Sequence, residues 1–344
     1  MKISICIPQY NRIAFLLKNL EYISKQSYNN IEVVISDDCS KDTTDEEIRK
    51  LIPTYKYPIV YKRNEKNLGY DGNLRQSMEL SSGDYCFILG NDDTINQPDD
   101  IQFLVGFLKD NNYPEVGFCN SAYFDTPENT MDRANISGVI GSGKNIAIKY
   151  FRSFSFVAGI ILKRNCFLEV NTPRFDGSIY VQIYLCTTLV ARGYRLFTIQ
   201  EPLVLQNITV ENIIVNSYLD TLQKKWKDYK VVDAGLPQVI NVTVSAFSDA
   251  GFNSSDIAYT IFKGIFGITY PFWILDYKKN GALVAAVGLM NGLKPTKIRE
   301  FDLLSSMQKL GILGTYSFST IAAFLFPVFI FEKIKLSLYR FIKK

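Results

Sequence analysis

The chain has 344 residues, with 38 Lys+Arg against 34 Asp+Glu, 47% hydrophobic residues and 14% aromatic ones. That length suits one large domain or two modest ones around a buried core; the composition excludes a disordered or collagen-like chain, and a net charge of +4 does not mark a nucleic-acid binder. Histidine is absent, which excludes Ser-His-Asp triads, His-based zinc sites and imidazole bases and leaves Asp, Glu, Lys, Tyr or Cys for any general base.

The first 120 or so residues alternate strand and helix signals. Ile3–Ile7 is a short apolar strand closed by Pro8, too short for the core of a signal peptide, so a cytosolic start is expected. Ile13, Leu16, Leu17, Leu20 and Ile23 recur at helical spacing over residues 12–24. Ile31–Ser36 is a second strand running into Asp37-Asp38, followed by a helix near Thr44–Ile52. Ile59–Arg63 is a third strand, Gly72–Leu80 a helix, and Tyr85–Leu89 a fourth strand ending at Gly90-Asn91-Asp92-Asp93. The alternation predicts an α/β fold with a mostly parallel sheet, whose ligands gather at the carboxyl ends of the strands. Polar clusters sit at those ends: Gln9–Arg12, Asp37–Ser40, Arg63–Gly69 and Asn91–Asp93. The six cysteines never approach CxxC spacing and read as buried free thiols of a reducing compartment.

Four segments carry a resemblance: IPQYNR (Ile7–Arg12), VVISDDCSKDTT (Val33–Thr44), RNEKNLGYDGN (Arg63–Asn73) and GDYCFILGNDD (Gly83–Asp93). In order and spacing they resemble the family 2 glycosyltransferases of GT-A fold, firmly over residues 1–120 and more loosely to about 205. The GD-Y and GNDD pairing is most similar to the abequosyltransferase-like branch of O-antigen assembly. The resemblance implies a Rossmann-like GT-A catalytic domain over residues 1–205, and transfer of a sugar from a nucleotide-sugar donor to a glycan of a bacterial surface polysaccharide. It also implies contacts from Pro8, Tyr10, Asn11 and Arg12 to base and diphosphate, from Asp37 or Asp38 to base or ribose, and from Asn67, Gly69 and Asn73 to the donor. For Asp37, Asp38 and Ser40 the alternative is capping of the next helix, with Ser40 and Asp42 read as structural. Arg63 and Lys66 are phosphate candidates or ordinary surface charges.

Adjacent carboxylates at a strand end are costly unless a cation compensates them, so Asp92 and Asp93 are the candidate ligands of Mn²⁺ or Mg²⁺. Here the chain departs from the family's DxD: Gly90 stands at the first position and Asn91, a candidate ribose contact, between. Phe156–Lys163 resembles the acceptor-side strand, with Gly159 near the acceptor. The Glu-Asp pair expected about a dozen residues before Gly193-Tyr194 is replaced by Val181-Gln182. Asp176 is then the nearest candidate base, or a turn residue before Gly177, and Gln182 a candidate hydrogen-bonding partner of substrate. These departures keep open a second class, a decayed module that binds a nucleotide sugar without turnover. A nucleotidyltransferase would want a Gly-rich phosphate loop, and IPQYNR has no glycine.

The charge is uneven: residues 258–344 carry 12 Lys+Arg and 4 Asp+Glu, while residues 1–257 carry 26 and 30. Gly311–Phe331 has no formal charge over 21 residues, and Lys333, Lys335, Arg340, Lys343 and Lys344 follow, interleaved with apolar residues. A single crossing would export this basic tail against the positive-inside rule. The expectation is therefore a helical extension over 206–310 and, over 311–344, a monotopic or re-entrant anchor at the cytoplasmic face of the inner membrane. A helical oligomerisation bundle is the alternative. An anchor suits a polyprenyl-diphosphate-linked saccharide as acceptor; a soluble or protein-borne glycan is the other choice.

Overall fold

Seven apolar and amphipathic segments build the first half of the sheet: β1 (Ile3–Gln9), α1 (Ile13–Ser24), β2 (Ile31–Asp37), α2 (Thr44–Leu51), β3 (Ile59–Arg63), α3 (Gly69–Glu79) and β4 (Tyr85–Ile88). The four strands are all parallel, with Ile3 level with Ile31 and Tyr85, and Val33 level with Ile59. The central strands are covered on both faces, which is why β1 and β2 read as near-continuous apolar runs. One face packs Ile5, Ile7, Val33 and Phe87 with Leu16, Leu20 and Ile23 of α1. The computed structural model describes residues 1–211, 213–214 and 235–334. The chain divides into two units, residues 1–215 and 216–344.

The first unit continues through β5 (Thr94–Ile95), α4 (Asp100–Asp110), β6 (Val116–Tyr123), β7 (Thr130–Met131), β8 (Gly138–Gly141), α5 (Lys144–Tyr150), β9 (Ile160–Lys163), α6 (Arg164–Val170), α7 (Val181–Ala191) and β10 (Leu196–Gln206). The sheet order is β3-β2-β1-β4-β9-β6-β10-β5, with β7 on β6 and β8 on β10. β9 runs antiparallel to both β4 and β6, and β5 antiparallel to β10, so the second half of the sheet is mixed. The strand expected over Phe156–Lys163 forms only in its second half: Gly159 sits at φ +74°, and a Cβ there would lie 2.5 Å from Cys119 Sγ. α7 is buried at every position, as expected of a helix apolar all round. The break placed after residue 205 falls at the end of β10, and a small hairpin, β11 (Thr209–Val210) with β12 (Ile213–Ile214), follows it. All six cysteines are free, and all but Cys39 are buried.

The second unit is helical among the described residues: α8 (Leu236–Asp249), α9 (Ser254–Gly264), a π-helical turn (Ile265–Thr269), α10 (Tyr270–Lys279), α11 (Leu283–Gly292) and α12 (Ser306–Leu325). α12 opens with a capping box in which Ser305 and Gln308 satisfy each other's backbone N–H groups. It stops before Pro327, and a further helix, α13 (Val328–Ile334), leaves it at 101°. Among the described residues no single helix is long and apolar enough to cross a membrane, although this bent pair is, by length and composition. Lys335, Arg340, Lys343 and Lys344 lie outside the described residues.

Candidate active site

The site forms where β1, β2 and β4 end. Asn11 and Arg12 follow β1 with φ of +54° and +61°, so the chain doubles back before α1. Asn11 is held on both sides: its N–H donates to Ser40 Oγ at 2.7 Å and its Oδ1 accepts from Lys41 N–H at 2.9 Å. Asp42 caps α1 by accepting from Ile13 N–H at 2.9 Å. Gln9, which no motif argument singled out, is fully buried and central. Its Oε1 accepts from Asn91 Nδ2 at 2.8 Å, its carbonyl from Asn73 Nδ2 at 3.1 Å and from Asp38 N–H at 2.8 Å. Tyr10 stands exposed beside this hub.

The acidic end of β2 is committed inward. Asp37 is fully buried and accepts from Ser40 N–H at 3.1 Å, from the Ser40 hydroxyl and from Tyr61 at 2.9 Å, with Arg63 Nε 3.8 Å away. Arg63 also donates to the Ser40 carbonyl at 3.0 Å, so this cation braces the β2 end. Asp38 accepts from Leu68 N–H at 2.6 Å and Gly69 N–H at 3.1 Å. It thus caps α3, whereas the capping alternative had pointed to the next helix, α2. Asn67 donates to the Asp38 carbonyl at 3.3 Å, and Asn64 Nδ2 lies 3.3 Å from both Asp38 Oδ1 and Asn73 Oδ1. A chain of polar side chains, four amides and a carboxylate, therefore joins four strand ends: Asn91, Gln9, Asn73, Asn64, Asp38.

Asp92 and Asp93 converge above Gly90. A Cβ on Gly90 would lie 2.7 Å from Asp93 Oδ2 and 3.0 Å from Asp92 Oδ1, so the aspartate that DxD would put there would displace these carboxylates. The turn is held from elsewhere in the chain: Asn19 of α1 donates to the Gly90 carbonyl at 3.2 Å, Asn207 N–H to Asp93 Oδ1 at 3.1 Å, and Ile208 N–H to the Asp92 carbonyl at 2.8 Å. Arg12 Nη1 lies 3.3 Å from Asp92 Oδ2. Burial pushes the Asp92 carboxyl up, opposed by the Arg12 charge. Burial and then the neighbouring Asp92 charge push Asp93 well above the usual carboxylate range. Two hard oxygen donors in a place that resists two negative charges are the donor set that suits a divalent cation. Among the described residues there is no group of three or more His, Cys, Asp or Glu able to hold a metal.

Before α7, Asp176 is paired with Arg75 of α3, through Nε at 2.9 Å and Nη2 at 2.6 Å. Asp71, one turn earlier on α3, accepts from Ile179 N–H at 2.7 Å and Val181 N–H at 3.1 Å, holding the start of α7. Gln182 is buried, its Nε2 3.5 Å from the Ser155 carbonyl and its Oε1 without a hydrogen-bond partner. Sequence reasoning also missed Arg133. Its guanidinium donates to the carbonyls of Cys119 (2.7 Å), Ser153 (3.2 Å), Phe156 (2.6 Å) and Ala158. Burial lowers it to about 10, and its charge favours the ionised form of Asp93. Gln9 lay within a motif and was findable there; Asn207, Arg133 and the Asp71–Arg75 pair act across long sequence separations that leave no local signal.

Residues 4–166 match the Glycosyl transferase family 2 pattern. Those residues, just under half of the chain, form a family 2 glycosyl transferase domain. The abequosyltransferase RfbV of Salmonella typhimurium is 30% identical over 223 residues, covering 60% of this chain and 66% of that protein, just under two thirds of its length. A GalNAc(5)-diNAcBac-PP-undecaprenol beta-1,3-glucosyltransferase of Campylobacter jejuni is 27% identical over 94 residues, 27% of this chain and 30% of that protein. Among solved structures, TarS 1–349 of S. aureus with UDP-GlcNAc superposes with a TM-score of 0.62 at 13% identity, covering 94% of this chain and 91% of that one. The family 2 domain has the GT-A fold, followed by the helical C-terminal region.

Proposed function

We propose that this chain is a glycosyltransferase that moves a sugar from a nucleotide-sugar donor to a hydroxyl of a saccharide carried on polyprenyl diphosphate, in the assembly of a bacterial surface polysaccharide. The observation that carries this reading is the Asp92–Asp93 pair facing Arg12 at the carboxyl ends of β1 and β4, inside a family 2 domain. The names of the relatives support it: one transfers abequose and one acts on an undecaprenyl-diphosphate saccharide. TarS was solved with UDP and with UDP-GlcNAc, which supports a nucleotide-sugar donor. The donor is cytosolic and the acceptor lies in the bilayer, so the reaction belongs at the cytoplasmic face of the inner membrane.

Each group has a task. Tyr10 offers an exposed ring to the face of the base. The Gln9–Asn73–Asn64–Asp38 chain fixes the loops that must approach ribose and diphosphate. Arg12 carries positive charge to the diphosphate, and Asp92 and Asp93 would hold Mn²⁺ or Mg²⁺. When bound, that cation neutralises charge on the departing nucleotide. The charge of Arg133 favours ionised Asp93, and Asp71 and Arg75 set the loop at the start of α7. The test is release of nucleotide from a panel of UDP-, GDP- and CDP-sugars, with a lipid-linked saccharide and with Mn²⁺, Mg²⁺ or chelator. Acceptor-dependent release with one donor is the expected result. The engagement of both Asp176 oxygens by Arg75 favours the second reading, a module that binds the donor without transferring it. Tight donor binding with no transfer to any acceptor would establish that reading instead.

A further inference from the structure

The uncharged run that opens at Gly311 belongs to a helix with two chemically different sides. Ile312, Ser319 and Ala323 of α12 are buried. The polar residues on this inner side are used within the unit: Thr320 Oγ1 lies 2.8 Å from the Tyr270 hydroxyl, and the Tyr316 hydroxyl donates to the Met290 carbonyl at 2.7 Å. Met307, Leu310, Phe318, Ile321 and Leu325 are 79%, 67%, 75%, 61% and 78% exposed. At 3.6 residues per turn these positions share one narrow face with Gly314, an apolar stripe about 27 Å long. Ser317 lies at its margin. Phe329 of α13 extends the apolar surface at 63% exposure.

The end of this helix is built to turn. Lys278 Nζ donates to the carbonyls of Ala323 (2.8 Å), Phe324 (2.7 Å) and Phe326 (2.9 Å), satisfying acceptors that a helix terminus leaves open. The chain then bends by 101° into α13, where Lys333 begins the basic run Lys333, Lys335, Arg340, Lys343, Lys344.

We propose that the outer stripe of α12 lies in the plane of an anionic bilayer surface, with its apolar side chains at the acyl boundary and the net positive charge of this region drawn to the headgroups. The stripe is one-sided: the opposite face is covered by protein, so the helix can meet hydrocarbon only along that side. Charge selects the occupant. Residues 258–344 carry net +8, which complements acidic headgroups, whereas a second copy would bring the same positive charge with it. This deepens the membrane-side reading above without depending on the transfer chemistry.

The experiment mixes the full chain with vesicles of phosphatidylcholine, alone or with phosphatidylglycerol, and measures co-sedimentation across salt concentrations. Binding to the anionic vesicles that weakens with salt is expected. The triple variant Phe318→Ser, Ile321→Ser, Leu325→Ser should reduce binding about tenfold or more, with an unchanged circular dichroism spectrum and unchanged donor binding. Equal binding by the folded variant, or no binding by the parent chain, overturns the proposal. So does a parent dimer that the variant converts to monomer without any vesicle binding, which would assign the stripe to a second copy. Donor binding on the same preparations separates this outcome from failure of the transferase reading.

Discussion

Arg75 of α3 grips both carboxylate oxygens of Asp176, at 2.9 and 2.6 Å, across 101 residues of chain. Asp71, four residues before Arg75, holds the backbone of Ile179 and Val181. Two side chains on one face of α3 thus fix the loop that opens α7, and Asp176 has a positioning task.

Asp176→Asn removes the charge from a partly buried bidentate pair. We expect a loss of about 2 kcal/mol in stability, read by denaturant unfolding, and a kcat reduced by less than about tenfold for the folded variant. A fall of about 10³-fold in kcat with an intact fold would return Asp176 to the role of general base.

Asp93→Asn addresses the acidic pair. Burial raises Asp93 above its ordinary 3.8, so the folded chain binds this proton more tightly than the unfolded chain. Its charge therefore destabilises the fold increasingly as pH rises from 3.8 through the raised value. The variant should melt higher than the parent at neutral pH without divalent cation, and the difference should shrink toward acid. Transfer should fall by about 10²–10³-fold; a variant with full activity would remove the pair from the mechanism.

Gly90→Ala places a Cβ 2.7 Å from Asp93 Oδ2. The Asp92 and Asp93 carboxylates must shift to admit it. Donor affinity should drop by about tenfold or more, measured by calorimetry, and Gly90→Asp should not restore the family pattern but disrupt the site further.

Glu32 supplies a pH test away from the site. Although its burial opposes ionisation, hydrogen bonds from Lys2, Ser4 and Ser82 bring it from 4.5 down to about 2. A lowered value means that its stabilisation is complete above 4.5 and is lost as pH falls toward 2. Glu32→Gln should cost about 3 kcal/mol at pH 7, and urea unfolding of parent and variant should converge near the lower limit.

Much of the site's location was legible in the chain. Asp37–Ser40, Arg63–Gly69 and Asn91–Asp93 were placed at strand ends by short-range periodicity, and the structure has them follow β2, β3 and β4, with Gly69 opening α3. Individual tasks were less legible. Asp37 satisfies its oxygens on Ser40 and Tyr61, and Asp38 on the N-terminus of α3. A carboxylate's partners depend on which loop folds over it, and sequence spacing does not carry that information.

The sequence by itself determined the alternation of strands and helices, the absence of imidazole chemistry and the apolar, basic character of the C-terminal run, because each follows from residue type and local period. The tertiary structure alone decided that Gly90 yields its space to two carboxylates, that Asn207 reaches Asp93 while the charge of buried Arg133 acts on it, and that α12 turns one side inward and leaves the other apolar and exposed. Those facts rest on contacts between residues far apart in the chain, set by how whole elements pack.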